Sequence, residues 1–197
     1  MVQKSNRWME TSDVIPMFPS LVWKVQIEGL RDALATNIRA ALADLRRGLP
    51  PLEAGRGWQS QQALHEREDF RDLVLCVRRG VTSILRFLRI GQDAFEITAS
   101  WATVLAKGAA HKVHSHPKNF LSGVYYVCTQ SGADTINFHD PRRQKAVIWP
   151  PGRGADGGQH RSGGGQGAQR SAADFPSFLK HSVDATERGR KSVSAST

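Results

Sequence analysis

Long apolar runs are missing from this sequence. No stretch of about 18 consecutive apolar residues occurs, so no transmembrane helix is expected. The opening residues MVQKSNRWMETSD have no apolar core of the kind a secretory signal carries. Cysteine is scarce: there are 2 in 197 residues, Cys76 and Cys128, both inside apolar patterns and without metal-ligand spacing. That excludes a disulfide framework and a cysteine zinc site, and makes two buried free thiols in a cytoplasmic protein the expectation. Acidic residues are outnumbered, 18 against 27 Lys and Arg, for a net charge of +9. No paired Cys/His finger, RNP-like strand or helix-turn-helix accompanies that charge, so nucleic acid is not the expected partner. The positive field suits small anions instead. What is present is 40% apolar residues with five Trp and eight Phe, enough for one packed domain at this length.

Residues 1 to 13 are polar and read as a flexible N-terminus, with residues 14 to 197 as a single domain. A strand is expected from about Pro19 to Ile27. Leu30, Leu34, Ile38, Leu42 and Leu45 recur at helical spacing, and Gly48 and Pro50 close that helix. GWQS, at 57 to 60, lies in a polar loop in which Trp58 packs. Phe70, Val74, Val77, Val81, Ile84 and Leu88 mark a second amphipathic helix from Asp69 to Leu88, with its arginines on the wet side. After Gly91 the period changes to two: Phe95, Ile97, Ala99 and Trp101 alternate with polar residues, as in a half-buried strand reaching Leu105. Further strands are expected at Leu121 to Thr129, Thr135 to Phe138 and Phe175 to Val183, with an edge strand around Val193 and Ala195. Two scaffold helices followed by short strands indicate an α+β chain whose main part is a jelly-roll-like double-stranded β-helix.

One stretch breaks the pattern. Residues 151 to 174, PGRGADGGQHRSGGGQGAQRSAAD, hold eight of the 18 glycines and no Val, Ile, Leu, Phe, Tyr or Trp. Such a low-complexity segment buries no apolar area to offset its ordering entropy, so a loop is expected and a core strand looks lost there. An insertion, or a local reading-frame shift that ends at Phe175, would both produce it.

The chemistry-bearing text is HSHPKNFLSGVYYVC, from His114 to Cys128. On a strand, residues i and i+2 share a face, so His114 and His116 can aim at one point. By itself this is half a metal site. With INFHDPR, FPSFLKHSVD and the basic GRKSVS that follows, the chain resembles the 2-oxoglutarate and Fe(II)-dependent oxygenase superfamily, in its bacterial and phage branch. The resemblance implies Fe(II) held by His114, His116 and His181, with 65 residues separating the last two. It implies 2-oxoglutarate as co-substrate, its distal carboxylate on Arg190 and Ser192 of an Arg-x-Ser pattern, with Tyr126 or Tyr125 beside it. It also implies dioxygen and an unidentified small-molecule or peptide substrate.

The chain departs from the superfamily at His116, where Asp or Glu is usual. Either the set is all imidazole or a carboxylate comes from elsewhere, for example Asp140. His111 is read as outside the ligand set, His139 as a loop residue beside Asp140, and His160 and His65 as without a specific role. Two readings compete with an active hydroxylase: a cupin-like metal-binding protein without turnover, and a degenerate relative whose roll is broken by the glycine-rich segment.

Overall fold

The structure, a computed structural model, describes residues 19–26, 31–91, 95–128, 136–140, 171–185, 187 and 189–197. The flexible reading of residues 1 to 13, the turn at 131 to 134 and most of the glycine-rich stretch, 151 to 170, lie outside them. Helix α1 is Arg31–Leu45 and α2 is Arg71–Phe87; the strands are β1 Trp23–Gln26, β2 Gly57–Gln59, β3 Ala99–Leu105, β4 His111–His114, β5 Leu121–Cys128, β6 Asn137–Phe138, β7 Ser171–Pro176, β8 His181–Val183 and β9 Arg190–Ser196. They form a six-stranded antiparallel sheet in the order β1-β7-β5-β9-β3-β2 and a three-stranded sheet in the order β4-β8-β6. Among the described residues no helix is long and apolar enough to cross a membrane.

Both helices form where the 3.6-residue period puts apolar side chains on one stripe. Leu34, Ile38, Ala41 and Leu42 of α1 are buried together with Leu73 of α2 and with Ala102, Tyr125, Val127 and Val193 of the large sheet. Val81, Ile84 and Leu85 of α2 pack on Leu121. The second helix ends in a Schellman motif: Ile90 N–H donates to Leu85 O at 2.9 Å and Arg89 N–H to Arg86 O at 3.1 Å. That motif needs a left-handed residue, and Arg89 supplies it at φ 56°.

Helices on one face of the large sheet and the small sheet on the other bury β3 twice over. Ser100 to Leu105 are all under 9% exposed, so the strand is not half-buried as its alternation suggests. Two other expectations change. Ser171 to Asp174, inside the segment read as loop, pair with β1, and Ala172 to Asp174 pair also with β5, so this part of the glycine-rich text is a core strand. The C-terminal strand β9 is no edge: it lies between β5 and β3 in the middle of the sheet. Only small side chains are needed there, because Val193 meets Tyr125 and Ala102 across the two ladders and the larger neighbours fill the layer.

Candidate metal centre

The small sheet carries the histidines. Strands β4 and β8 are registered at His111↔Val183 and His114↔His181, three residues along one strand against two along the other. That irregularity turns His111 and His114 to the same side, as a bulge does. Their rings meet edge to face with centroids 5.8 Å apart. Strand β4 stops at His114, so His116 is not on the strand as expected. It sits in the following loop, with its backbone N–H donating to Ser177 O at 3.0 Å. Ser177 itself is fully buried and shares a 2.7 Å hydroxyl hydrogen bond with Ser122. The turn that leads into β8 and the loop that holds His116 are thus fastened to one buried point.

One ring nitrogen from each of His114, His116 and His181 lies within 4.8 Å of the other two. Facial ligands about 2.1 Å from a common ion are separated by roughly 3 Å, so modest side-chain rotations close the set. His114 Nδ1 is 2.8 Å from Lys112 O and His181 Nδ1 is 3.0 Å from Leu179 O. A carbonyl only accepts, so each Nδ1 carries the proton and each Nε2 keeps its lone pair for a ligand. Burial, against Phe175 at 4.7 Å and Phe138 at 6.4 Å, is the main cause that lowers the His181 pKa to about 4. Burial, and then the neighbouring His114, also lower His116. Neutral imidazole is the ligating form, and this donor set fits a borderline divalent ion such as Fe(II).

The facing wall is the inner side of the large sheet. On β3, Trp101 packs against His116 with ring centroids 5.3 Å apart, which fixes the side that looks onto the triad. Two residues on, Thr103 pairs with Ser192, and Ser192 with Tyr126, in one cross-strand row. Arg190, 3% exposed, belongs to the same face and lies over the Tyr126 ring at 5.5 Å. Tyr125 points the other way, into the helix-side core. His111, whose ring meets His114, is lowered by burial, then by His114 and by Arg190, as befits a residue beside the triad and outside the ligand set.

Other candidates are elsewhere. Asp140 is exposed and does not join the converging side chains. His139 is held by Ser182, Nε2 to Oγ at 3.0 Å, on the opposite side of β8 from His181. Trp58 packs on the helix core, with the Arg46 guanidinium 5.7 Å above it, and Ser60 Oγ accepts from Ala102 N–H at 2.9 Å. His160 is outside the described residues. Trp101 and Thr103 are wall residues that motif spacing did not single out; their only sequence signal is sharing the odd-numbered register of β3.

The family model described as "Putative 2OG-Fe(II) oxygenase" matches residues 99–197. No curated protein matches the chain. Among solved structures, the chain is similar to a Pseudomonas putida prolyl-4-hydroxylase, at 14% identity and a TM-score of 0.60 over 90% of this chain and 91% of that one. It is similar to HygX from Streptomyces hygroscopicus, solved with nickel and 2-oxoglutarate bound, at 12% identity and a TM-score of 0.58 over 90% and 82%. The carbocyclase SnoK of nogalamycin biosynthesis aligns at 16% identity and a TM-score of 0.61 over 90% and 79%. At these identities the likeness is one of fold: a double-stranded β-helix with helices packed on its larger sheet.

Proposed function

Because the chain belongs to the 2OG-Fe(II) oxygenase family through residues 99–197, we propose that His114, His116 and His181 hold Fe(II), that Arg190, Ser192 and Tyr126 hold 2-oxoglutarate, and that the protein hydroxylates a peptide or small molecule. The single observation that carries this is the meeting of three ring nitrogens within 4.8 Å of one another, opposite the wall that bears Arg190. Bound there, Fe(II) and 2-oxoglutarate would supply the oxidising chemistry, in which one atom of dioxygen would end in the succinate formed with release of carbon dioxide and the other in the hydroxylated substrate.

The protein's own part is placement. The Lys112 and Leu179 carbonyls hold His114 and His181 in the Nδ1–H form, so the lone pairs face inward. Arg190 offers a planar fork to a carboxylate, and Ser192 a hydroxyl beside it. Phe138, Phe175 and Trp101 line the ring set with apolar surface, which keeps bulk water from its back. With three neutral imidazoles and no carboxylate, a divalent ion keeps its full charge, which favours an anionic bidentate co-substrate.

The test is anaerobic titration of the protein with Fe(II) and then 2-oxoglutarate. The expected result is a weak visible charge-transfer band, followed by succinate release once oxygen is admitted. Metal uptake without succinate would make the protein a metal-binding cupin relative without turnover. Absence of metal uptake would overturn the oxygenase reading.

A further inference from the structure

We propose that Thr103 is a further residue that recognises the distal carboxylate of 2-oxoglutarate, donating its hydroxyl next to Arg190 and Ser192. This rests on the oxygenase reading above and names a residue that neither the motifs nor the family pattern pointed to.

Thr103 is 3% exposed, and its Oγ1 is buried with no hydrogen-bond partner among the described residues. A buried hydroxyl left unsatisfied is destabilising, and few such groups persist in a folded protein without a reason. Its position supplies one. Thr103 is directly opposite Ser192 on the β3–β9 ladder, and Ser192 is directly opposite Tyr126 on the β5–β9 ladder. Residues opposite one another in an antiparallel pair share a face, so the three form a row across the sheet. Arg190 is on the same face two residues along β9, where its partner is Leu105.

The direction of the row relative to the metal centre follows from Trp101, which packs on His116 and precedes Thr103 by two residues. Along β3 the face therefore runs from the triad at Trp101 to Thr103, about 7 Å further on. A dicarboxylic 2-oxo acid chelating a metal at one end has four C–C bonds of about 1.5 Å between its carboxyl carbons, enough to reach this row. A carboxylate accepts only and has about four lone-pair sites; a guanidinium fork fills two, which leaves acceptor capacity for two hydroxyls. Ser192 and Thr103 stand on either side of the β3–β9 ladder to fill them. Among the described residues, the Thr103 hydroxyl has no other acceptor.

The experiment compares wild type with Thr103→Val and Thr103→Ser, each loaded anaerobically with Fe(II) and titrated with 2-oxoglutarate and, separately, with pyruvate. Pyruvate has the chelating 2-oxo acid end and no distal carboxylate. Thr103→Val is expected to weaken 2-oxoglutarate binding about tenfold or more, the loss of one charge-assisted hydrogen bond. Pyruvate affinity should be unchanged, and Thr103→Ser should restore most of the loss. The metal-free Thr103→Val protein should melt no lower than wild type, because it loses an unsatisfied hydroxyl and keeps a β-branched side chain. Equal weakening for both acids, or none for 2-oxoglutarate, would overturn the assignment of Thr103 while leaving the oxygenase reading standing. A wild-type protein that develops no 2-oxoglutarate-dependent band would overturn both.

Discussion

His114 and His181 are registered partners across the β4–β8 ladder, and their rings lie 4.2 Å apart at the centroids. A cross-strand pair is the shortest link the fold offers between two residues distant in sequence. It sets two of the three rings by one ladder, while the third, His116, is set by the loop tied to Ser177.

Replacing His181 by Ala should therefore abolish metal uptake. Losing only an outer partner of a ligating histidine typically weakens metal binding 10- to 100-fold, so losing the ligand should exceed about 100-fold. His139→Ala is the control, since that ring lies just past β6 and is bonded to Ser182. Calorimetric titration with Fe(II) or Co(II) separates the two; equal affinities for both variants would remove His181 from the site.

His116 is the position where the superfamily usually has a carboxylate. His116→Ala should lose metal binding, whereas His116→Asp should keep it with a weaker hold on 2-oxoglutarate, since one metal charge is then neutralised. Charge-transfer titration measures both quantities. Normal metal binding by His116→Ala would mean that the ion is held without it.

Asp174 gives a pH prediction. Its carboxyl is pushed up from 3.8 to about 6 by burial. An added Cβ at Gly123, its ladder partner, would come within 2.3 Å of Oδ1, and one at Gly80 of α2 within 3.5 Å of Oδ2. The folded state thus holds this proton more tightly than the unfolded chain, so stability falls as pH rises from about 4 to 6 and the penalty is complete above that, at roughly 3 kcal/mol. Asp174→Asn, neutral throughout, should be more stable than wild type at pH 7 by up to that amount and equal to it near pH 3.5. His181 acts oppositely: its pKa of about 4 adds stability as pH rises toward its unfolded value of 6.5, in both proteins alike. The difference between urea curves isolates Asp174. Gly123→Ala should destabilise wild type by about 1–3 kcal/mol through overpacking, and much less when Asp174 is Ala.

Arg89 closes α2 in the left-handed region at φ 56°. A side chain there is strained by about 1 kcal/mol, which glycine does not incur. Arg89→Gly should raise the unfolding free energy by about that much, visible as a higher thermal midpoint with no change in metal binding. A lower midpoint would mean that the Arg89 side chain makes contacts worth more than the strain.

The two helices were legible because a 3.6-residue apolar period is local: α1 ends at Leu45 and α2 spans Arg71–Phe87, each within a few residues of the expected bounds. Two strands were legible for a similar reason, through the alternation from Phe95 to Trp101 that leads into β3 and through β-formers from Leu121 to Cys128, whereas Phe175 to Val183, expected as one strand, is the end of β7, a turn and then β8 in the other sheet. Strand β7 was not. Ser171 to Ala173 are small or polar and carry no pattern, and they become strand because β1 pairs with all three and β5 with Ala172 and Ala173.

By itself, then, the sequence determined which residue types exist to do the chemistry: histidines at 114, 116 and 181, and a guanidinium two residues before a serine. These follow from covalent order and short-range periodicity. The tertiary structure alone decided that a bulge turns His111 against His114, that β9 is central, that Asp174 lies against two glycines and that Thr103 stands in one row with Ser192 and Tyr126. Each of these depends on which strands become neighbours, and ladder order is a property of long-range packing that no local spacing encodes.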